Sequence, residues 1–259
     1  MSGVIRNRWD GLRRYTAARL AGGRAGNAQT TEAQLRFQLD HARARDAVLH
    51  PLDTGRLAQD LQDSGLPVFT VQSAADNRAL YLQRPDLGRR LRDTDHEVLA
   101  THKGTAEIAV AVVDGLSSIA VERHAAALLQ RLLPQLREAG YSLAPLTLAN
   151  QGRVALGDDI GEALGARLVL VLIGERPGLS SPDSLGIYLT YAPCPGRLDS
   201  ERNCISNIRP PEGLDYQRAA DTCLYLCRNA LRRQLSGVRL KDDSLELAQA
   251  GSEQIPFFR

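Results

Sequence analysis

Three polar, glycine-rich segments contain the residue types that could bind a ligand. They are Asp114-Gly-Leu-Ser117, Asn150-Gln-Gly-Arg-Val-Ala-Leu-Gly157 and a longer segment from Gly174 to Ser184. Each follows a predicted β-strand, and in an open α/β sheet ligands bind beyond the carboxyl ends of the strands. Exposed N–H groups in such loops suit an anionic or amide-bearing ligand. Ordinary turns of a doubly wound sheet would have the same composition, so both interpretations stay open.

No familiar catalytic or metal-binding motif accompanies these segments. There is no P-loop and no Gly-x-Gly-x-x-Gly, and the esterase elbow is missed because Ile119 and Pro182 replace its closing glycine. None of the five histidines forms a ligand pair, so we predict no metal site in this chain. His124 falls on an apolar helical face and is expected in the core or in an interface. Cys223 and Cys227 are expected to be small core residues.

The elements that must position these segments change in character near residue 105. Before it, the sequence predicts helices over about 31–49 and 53–64, short helical pieces over 77–102, and one small strand at 67–72. After it, aliphatic runs predict strands at 108–113, 142–149, 167–173 and 185–191, which alternate with helices at 117–138, 158–164 and 215–235. The alternation predicts an α/β fold, in which a mostly helical N-terminal part precedes a parallel sheet with helices on both faces.

These patterns divide the chain into four parts. We predict a flexible basic N-terminal segment (1–28), a helical domain (29–105), a sheet domain (106–243) and a C-terminal tail (244–259). Residues 4–20 are interpreted either as a basic amphipathic helix for docking or as a solvated tail. The following Ala21-Gly-Gly-Arg-Ala-Gly26 is expected to lack regular structure. Phe257 and Phe258 in the C-terminal tail either fray or contact a partner.

The composition excludes several classes of protein. With 259 residues, 43% of them hydrophobic and 24% charged, the chain can bury a substantial core. Its 32 basic and 30 acidic residues nearly cancel, which argues against a protein that coats nucleic acid. The apolar runs are much shorter than the ~20 residues of a membrane helix, and no signal-peptide core is present, so we expect a cytoplasmic protein. Only two basic residues are lysines, an arginine excess typical of protein interfaces or of genome composition.

Several motifs follow one another in an order that points to a known family. The most specific are Leu172-Ile-Gly-Glu-Arg-Pro-Gly-Leu179, Arg202-Asn-Cys-Ile-Ser-Asn-Ile208 and Leu235-Ser-Gly-Val238. Weaker ones are Gly23-Arg-Ala-Gly26, Phe37-Gln-Leu-Asp-His-Ala-Arg-Ala-Arg-Asp-Ala-Val48, Arg84-Pro-Asp-Leu-Gly-Arg-Arg-Leu91, Asp114-Gly-Leu-Ser117 and Gln151-Gly-Arg-Val-Ala-Leu-Gly-Asp158. Together they span about residues 16–242 and resemble the small (light) subunit of ethanolamine ammonia-lyase.

The resemblance implies a function that spacing does not show. The family's enzyme is an adenosylcobalamin-dependent lyase that converts ethanolamine to acetaldehyde and ammonia by a radical mechanism. Its large subunit is a TIM barrel that binds the substrate and carries most catalytic groups, so we assign no catalytic residue to this chain. The small subunit joins a helical N-terminal part to a Rossmann-like part and covers the cofactor at the interface. The large–small pairs form a higher hetero-oligomer.

The resemblance also implies cofactor contacts at Val154, Glu175 and Cys204. Val154 and Glu175 lie in the ligand-binding segments defined above, whereas Cys204 is predicted in a polar loop after the last strand, near the same edge of the sheet. No histidine here has an aspartate two residues before it, so the resemblance implies that the cofactor's own benzimidazole stays on cobalt (base-on). Geometry alone adds weaker candidates, namely Asp114, Gly115, Ser117, Gln151 and Gly174.

The sequence leaves alternatives open for the location of the protein and for its class of function. In the family, the N-terminal region is associated with packaging into a bacterial microcompartment, but this N-terminal segment looks short, so cytoplasm and microcompartment both stay open. The chain could instead be a standalone α/β enzyme or a binding protein for a phosphorylated or nucleotide ligand, held by the strand-end loops. A third class is an assembly module without ligand contact.

Overall fold

A six-stranded sheet organises the computed structural model, which describes residues 4–5, 7–16, 18–20 and 22–243. The strands are β1 (Val4–Ile5), β2 (Arg24–Ala25), β3 (Ala28–Gln29), β4 (Val68–Gln72), β5 (Ile108–Val113), β6 (Leu146–Asn150), β7 (Leu168–Gly174), β8 (Leu185–Tyr191) and β9 (Arg202–Ile208). The α-helices are α1 (Thr31–Leu49), α2 (Thr54–Gln62), α3 (Arg78–Gln83), α4 (Asp93–Ala100), α5 (Ser118–Glu138), α6 (Leu156–Leu164) and α7 (Tyr216–Arg233). The predicted α/β class is confirmed.

The sheet is mixed, which corrects the prediction of a parallel one. The strand order is β4-β6-β5-β7-β8-β9; the first four are parallel, whereas β8 pairs antiparallel with both neighbours. A parallel crossover needs a connection of about a dozen residues or more, usually with a helix. The β7–β8 and β8–β9 connections are shorter and carry no α-helix, so the chain returns antiparallel.

Helices cover both faces of the sheet, as predicted. The side chains of Val110 and Val112 enter a core formed with α2, α5 and α7. Those of Ala109 and Ala111 enter a second core with α4 and α6. Successive strand residues point to opposite faces, so a strand buried on both sides is apolar at every position. All six residues of β5 are apolar and buried.

Local signals place the helix ends correctly. The side chains of Asp53, Ser117 and Asp215 accept hydrogen bonds from the backbone three residues on and cap α2, α5 and α7. The cap of α1 is Thr30, so the helix covers Thr31–Leu49, in agreement with the predicted range. The small strand predicted at 67–72 is β4, and it pairs with β6 at one edge of the sheet. One strand of the six-stranded sheet therefore comes from before residue 105, while the four-part division stays a prediction.

The N-terminal segment contradicts one of its two interpretations, the amphipathic helix. Among its described residues, Val4–Ile5 is a strand paired with Arg24–Ala25, and Asp10–Tyr15 is a 3-10 helix, so an amphipathic helix over residues 4–20 is wrong. The glycine-rich stretch does hold regular structure. Gly26 has a φ of +59° and opens a two-residue turn between β2 and β3, a place that favours glycine. The tail at 244–259 lies outside the described residues.

Glycines in α6 allow the helix to approach the sheet closely. A Cβ on Gly157 would overlap Cγ2 of Val171 in β7, and one on Gly161 would lie 3.2 Å from Cβ of Val169.

We expect Gly157→Ala to lower the free energy of unfolding by about 1–3 kcal/mol, because the branched Val171 cannot move aside. Gly55→Ala at the exposed start of α2 meets only one atom within 4 Å and is expected to be neutral or stabilising. Equal effects of the two changes in denaturant unfolding would contradict this explanation.

Candidate functional site

The buried carboxylate of Asp114 ties the β5–α5 connection to the β6–α6 connection. It accepts hydrogen bonds from the backbone N–H groups of Gln151 (2.9 Å) and Gly152 (3.0 Å) and lies 3.5 Å from the Arg78 guanidinium. Burial raises the pKa of Asp114, and the two N–H donors oppose that rise. The backbone N–H groups of Gln151 and Gly152, which the sequence suggests as donors to an anionic ligand, are therefore already hydrogen-bonded within the protein.

The other candidates chosen from geometry are internal as well. A Cβ on Gly115 would overlap the carbonyl oxygen of Gly174, and one on Gly174 would overlap that of Ser117. Gly115 also has a φ of +61°. The Ser117 hydroxyl donates to the carbonyl oxygen of Pro182 at 2.7 Å. These residues hold the strand-end loops against one another, so the packed loops favour neither a phosphate nor a nucleotide.

Glu175 extends from the end of β7 towards β9. Its Oε1 accepts a hydrogen bond from the Ser206 hydroxyl (2.5 Å), and its Oε2 accepts from the Ser184 hydroxyl (2.5 Å) and the Asn207 backbone N–H (3.2 Å). A Cβ on Gly186 in β8 would come within 2.8 Å of Oε1. The carboxylate is thus fixed by three donors over a position where only glycine leaves it room.

Cys204 lies within strand β9, so its prediction in a loop is wrong. It is exposed and stands opposite Tyr188 in the antiparallel β8–β9 pair. β9 is an edge strand that buries Ile205 and Ile208 against α7 and its neighbours, while Cys204 and Ser206 face solvent. Such a strand lacks an aliphatic run, which is why its sequence resembles a loop.

The Cys204 thiol is held in its neutral form. Burial around the sulfur and the nearby Glu175 carboxylate raise the pKa of this thiol, although the side chain of Tyr188 partly opposes the rise. Burial and the adjacent Cys204 also raise the pKa of Tyr188. A raised thiol pKa lowers the thiolate fraction near neutral pH. Cys204 is therefore a weakly polar, mostly uncharged group on this surface.

Val154 lies on the same face of the sheet as Tyr188 and Cys204. It lies in the β6–α6 connection, is half-buried, and packs against the same hydrophobic cluster as Tyr188. The structure thus brings Glu175 and Cys204 together around Tyr188 and places Val154 on the same face, at the N-terminal end of α6. We call Val154, Glu175, Tyr188, Cys204 and Ser206 the α6-side surface.

A buried ion pair fixes α6 against β9. The Arg202 guanidinium binds both carboxylate oxygens of Asp158 at 2.7 Å, and it also donates to the Thr190 hydroxyl (3.0 Å) and the Arg197 carbonyl oxygen (2.9 Å). Burial raises the pKa of Asp158, and Arg202 opposes that rise. Because α6 follows Val154 and Arg202 precedes Cys204 in β9, the pair sets the spacing of the two ends of this surface.

Sequence reasoning missed four residues that shape the surface, namely Ser184, Tyr188, Ser206 and Asn207. One signal was available for Ser206, which stands two residues after Cys204 and so shares its face once β9 is known to be a strand. No spacing rule links Ser184 or Tyr188 to Glu175, because those contacts depend on the strand pairing.

The residues assigned to the core are confirmed there. His124 is buried and its Nδ1 lies 2.8 Å from the Tyr216 hydroxyl, on the α5–α7 side of the sheet. Cys223 and Cys227 are completely buried. Within the described ranges, no three His, Cys, Asp or Glu side chains are grouped so as to hold a metal ion. No helix in the same part of the chain is long and apolar enough to cross a membrane.

Comparisons with known proteins agree with one another. A family model described as the ethanolamine ammonia-lyase light chain matches residues 6–241. The ethanolamine ammonia-lyase small subunit of Azotobacter vinelandii is 55% identical over 247 residues, which cover 94% of this chain and 91% of that protein. The small subunits of Xanthomonas campestris and Ralstonia nicotianae are 56% and 53% identical and cover 92% and 96% of this chain, and 89% and 93% of their own lengths.

Proposed function

Because the chain belongs to the family of ethanolamine ammonia-lyase small subunits, we propose that it covers adenosylcobalamin at the interface with a large subunit. The assembled enzyme would convert ethanolamine to acetaldehyde and ammonia. A small subunit implies a large partner, and we propose a TIM barrel for it and a hetero-oligomer of large–small pairs. The chain is part of a lyase complex, and this subunit supplies no catalytic group in the proposal.

The α6-side surface is the observation that carries the proposal. It holds all three residues that the family resemblance implies as cofactor contacts, and Cys204 and Ser206 on it are exposed. Helix α6 covers Arg202 in β9, but Cys204, two residues further on the same face, is uncovered. A flat macrocycle edged with amide side chains matches an uncovered sheet face with one fixed carboxylate.

The residues present fit such a group. An ionised carboxylate offers about four acceptor positions, and the three donors on Glu175 leave about one for an amide N–H. Val154 and the neutral Cys204 add apolar or weakly polar contact area without a charge to desolvate. We propose a base-on cofactor, because no histidine in the sequence has an aspartate two residues before it.

This chain would act by positioning and shielding. Adenosylcobalamin, when bound, would supply the radical chemistry. Glu175 would orient an amide of the macrocycle, because Ser184, Ser206 and Asn207 fix the carboxylate before binding. Val154 and Cys204 would exclude water from the covered face. The buried Asp158–Arg202 pair would keep the two ends of the surface at a constant distance.

Other parts of the proposal rest on the sequence patterns and on the family. We propose a Rossmann-like description for the parallel half of the sheet, and the division at 28, 105 and 243 remains part of the proposal. Location in the cytoplasm, free or inside a bacterial microcompartment, is proposed on the same basis.

Footprinting of two cysteines would test the proposal. In the chain without its partner, we expect iodoacetamide to modify Cys204 slowly, because its raised pKa lowers the thiolate fraction. Addition of the large subunit and adenosylcobalamin should protect Cys204 further. Cys194 is the control, since it is half-buried and lies in the β8–β9 connection, beyond the end of β8 that pairs with the start of β7. Mass spectrometry of the two peptides measures both rates.

Unchanged Cys204 modification in the assembled, cofactor-loaded complex would contradict the proposed coverage. Equal protection of Cys194 and Cys204 would indicate a general slowing of the reaction and would likewise give no support to a covered α6-side surface.

A further inference from the structure

Two guanidinium groups contact the buried ring of Tyr81, next to the loop that carries Val154. Tyr81 in α3 is completely buried. The Cζ atoms of Arg78 and Arg153 lie 4.6 and 4.4 Å from its ring centroid. Planar guanidinium groups stack well on aromatic faces, whereas an ammonium does not reproduce that contact. We call Arg78, Tyr81 and Arg153 the Tyr81 clamp.

Arg78 anchors the clamp to the body of the protein. Its Nε donates to the Val48 carbonyl oxygen at the end of α1 (2.7 Å), and its Nη1 donates to the Gly115 carbonyl oxygen (2.8 Å). The same Nη1 lies 3.5 Å from the carboxylate of Asp114. The clamp is therefore connected to the carboxyl end of β5.

Arg153 connects the clamp to the loop. Its backbone N–H donates to the Gly88 carbonyl oxygen (2.7 Å), and its Nη2 donates to the Tyr81 carbonyl oxygen (3.2 Å). A Cβ on Gly88 would lie 3.0 Å from both Cγ of Arg153 and Cδ2 of Tyr81. Gly88 belongs to the Arg84–Leu91 motif, and the proposed function gives that motif no role.

The two guanidinium groups each keep one nitrogen that only the ring contact accompanies. Within the described residues, Nε of Arg153 and Nη2 of Arg78 are buried and make no hydrogen bond. The Oε1 of Gln151, in the same loop, is also buried without a partner. Few hydrogen bonds hold the Arg153 side chain, so loss of the Tyr81 ring would free it to move with the loop.

We infer that the Tyr81 clamp is a positioning device, which orders the loop at residues 151–155 so that Val154 meets the cofactor without a conformational change. The inference rests on the proposed function, in which Val154 contacts cobalamin. Tyr81 is buried and does not belong to the α6-side surface, so it acts through the loop. Pre-ordering of a binding loop increases affinity because less conformational freedom is lost on binding.

Substitution of Tyr81 in the assembled complex tests this role. We expect Tyr81→Leu to weaken adenosylcobalamin binding about tenfold in equilibrium dialysis in the dark, because the stacking face is lost. Tyr81→Phe keeps that face and should recover most of the affinity. Amide hydrogen exchange of the complex before cofactor addition should be faster at residues 151–155 in the leucine variant.

A second variant covers the case in which Tyr81→Leu does not fold. Arg153→Lys keeps the charge but removes the planar group, and we expect the same faster exchange and weaker binding, by about threefold or more. Leu57→Ala is the control, because it removes buried volume on the opposite face of the sheet. It should lower stability without a change in cobalamin affinity.

Unchanged affinity in both Tyr81→Leu and Arg153→Lys would overturn the inference, as would equal losses in Tyr81→Leu and Leu57→Ala. Glu175→Ala distinguishes a failure of the clamp role from a failure of the proposed cofactor surface. If Glu175→Ala weakens binding and the clamp variants do not, only the clamp role fails. If neither change affects binding, the proposed cofactor surface itself fails.

Discussion

Replacement of Glu175 with Ala is expected to weaken binding of adenosylcobalamin to the assembled enzyme about ten- to a hundredfold. A hydrogen bond to a charged acceptor contributes about 1.5–3 kcal/mol, which corresponds to that range of affinity. The carboxylate is already held by Ser184, Ser206 and Asn207, so binding would require little reorganisation of it. Equilibrium dialysis in the dark measures the affinity directly.

The same change should have a smaller effect on folding. Ser206 and Asn207 are exposed and can bond to water after the carboxylate is removed, whereas the buried Ser184 loses its acceptor. We therefore expect a loss of only about 1 kcal/mol in the free energy of unfolding. Glu138→Ala at the exposed end of α5 is the matched control and should alter neither quantity. Normal assembly together with unchanged affinity in Glu175→Ala would contradict a cofactor contact at this residue.

Replacement of Arg202 with Met is expected to lower the free energy of unfolding by about 3–5 kcal/mol. The change leaves the carboxylate of Asp158 buried without its bidentate partner, and the side chains of both residues are at most 2% exposed. Because the pair joins α6 to β9, the loss should also loosen the α6-side surface. Urea unfolding of the purified chain measures the stability difference.

The pH dependence of that variant gives a second readout. Burial raises the pKa of Asp158, and without Arg202 nothing of comparable strength opposes the rise. The folded variant then binds a proton at a pH where the unfolded carboxyl, with a pKa of about 3.9, does not. Stability of Arg202→Met relative to wild type should therefore improve as the pH falls from ~7 to ~5.

A double variant, Asp158→Leu with Arg202→Met, should recover part of the lost stability, because no unpaired charge stays buried. Comparable losses in the single and the double variant, or a deficit that grows towards low pH, would show that the unpaired carboxylate is not the cause.

Edge strand β9 shows how far local sequence patterns reach. The strands buried on both faces were predicted because every position in β5 and β7 is apolar. About half of the residues in β9 are polar, and its sequence therefore predicts a loop. The direction of the strand depends on the short β8–β9 connection. Its two exposed positions, Cys204 and Ser206, form part of the α6-side surface.

The strand-end loops show a second limit. Their glycines and polar residues predicted free N–H groups, but the side chain of Asp114 occupies those of Gln151 and Gly152. The two partners are separated by a helix and a strand in the sequence, and no motif spacing relates them.

The sequence by itself determined the helices from α1 to α7, the caps of α2, α5 and α7, the central strands, the core positions of Cys223 and Cys227, and the family. These features depend on residue periodicity, on capping within three residues, or on motifs that can be read in order. Only the tertiary structure decided the antiparallel return of β8 and β9, the meeting of Glu175 with Cys204, and the stacking of Arg78 and Arg153 on Tyr81. Those arrangements join residues far apart in the chain, and their energies depend on burial and on partner geometry that sequence spacing does not encode.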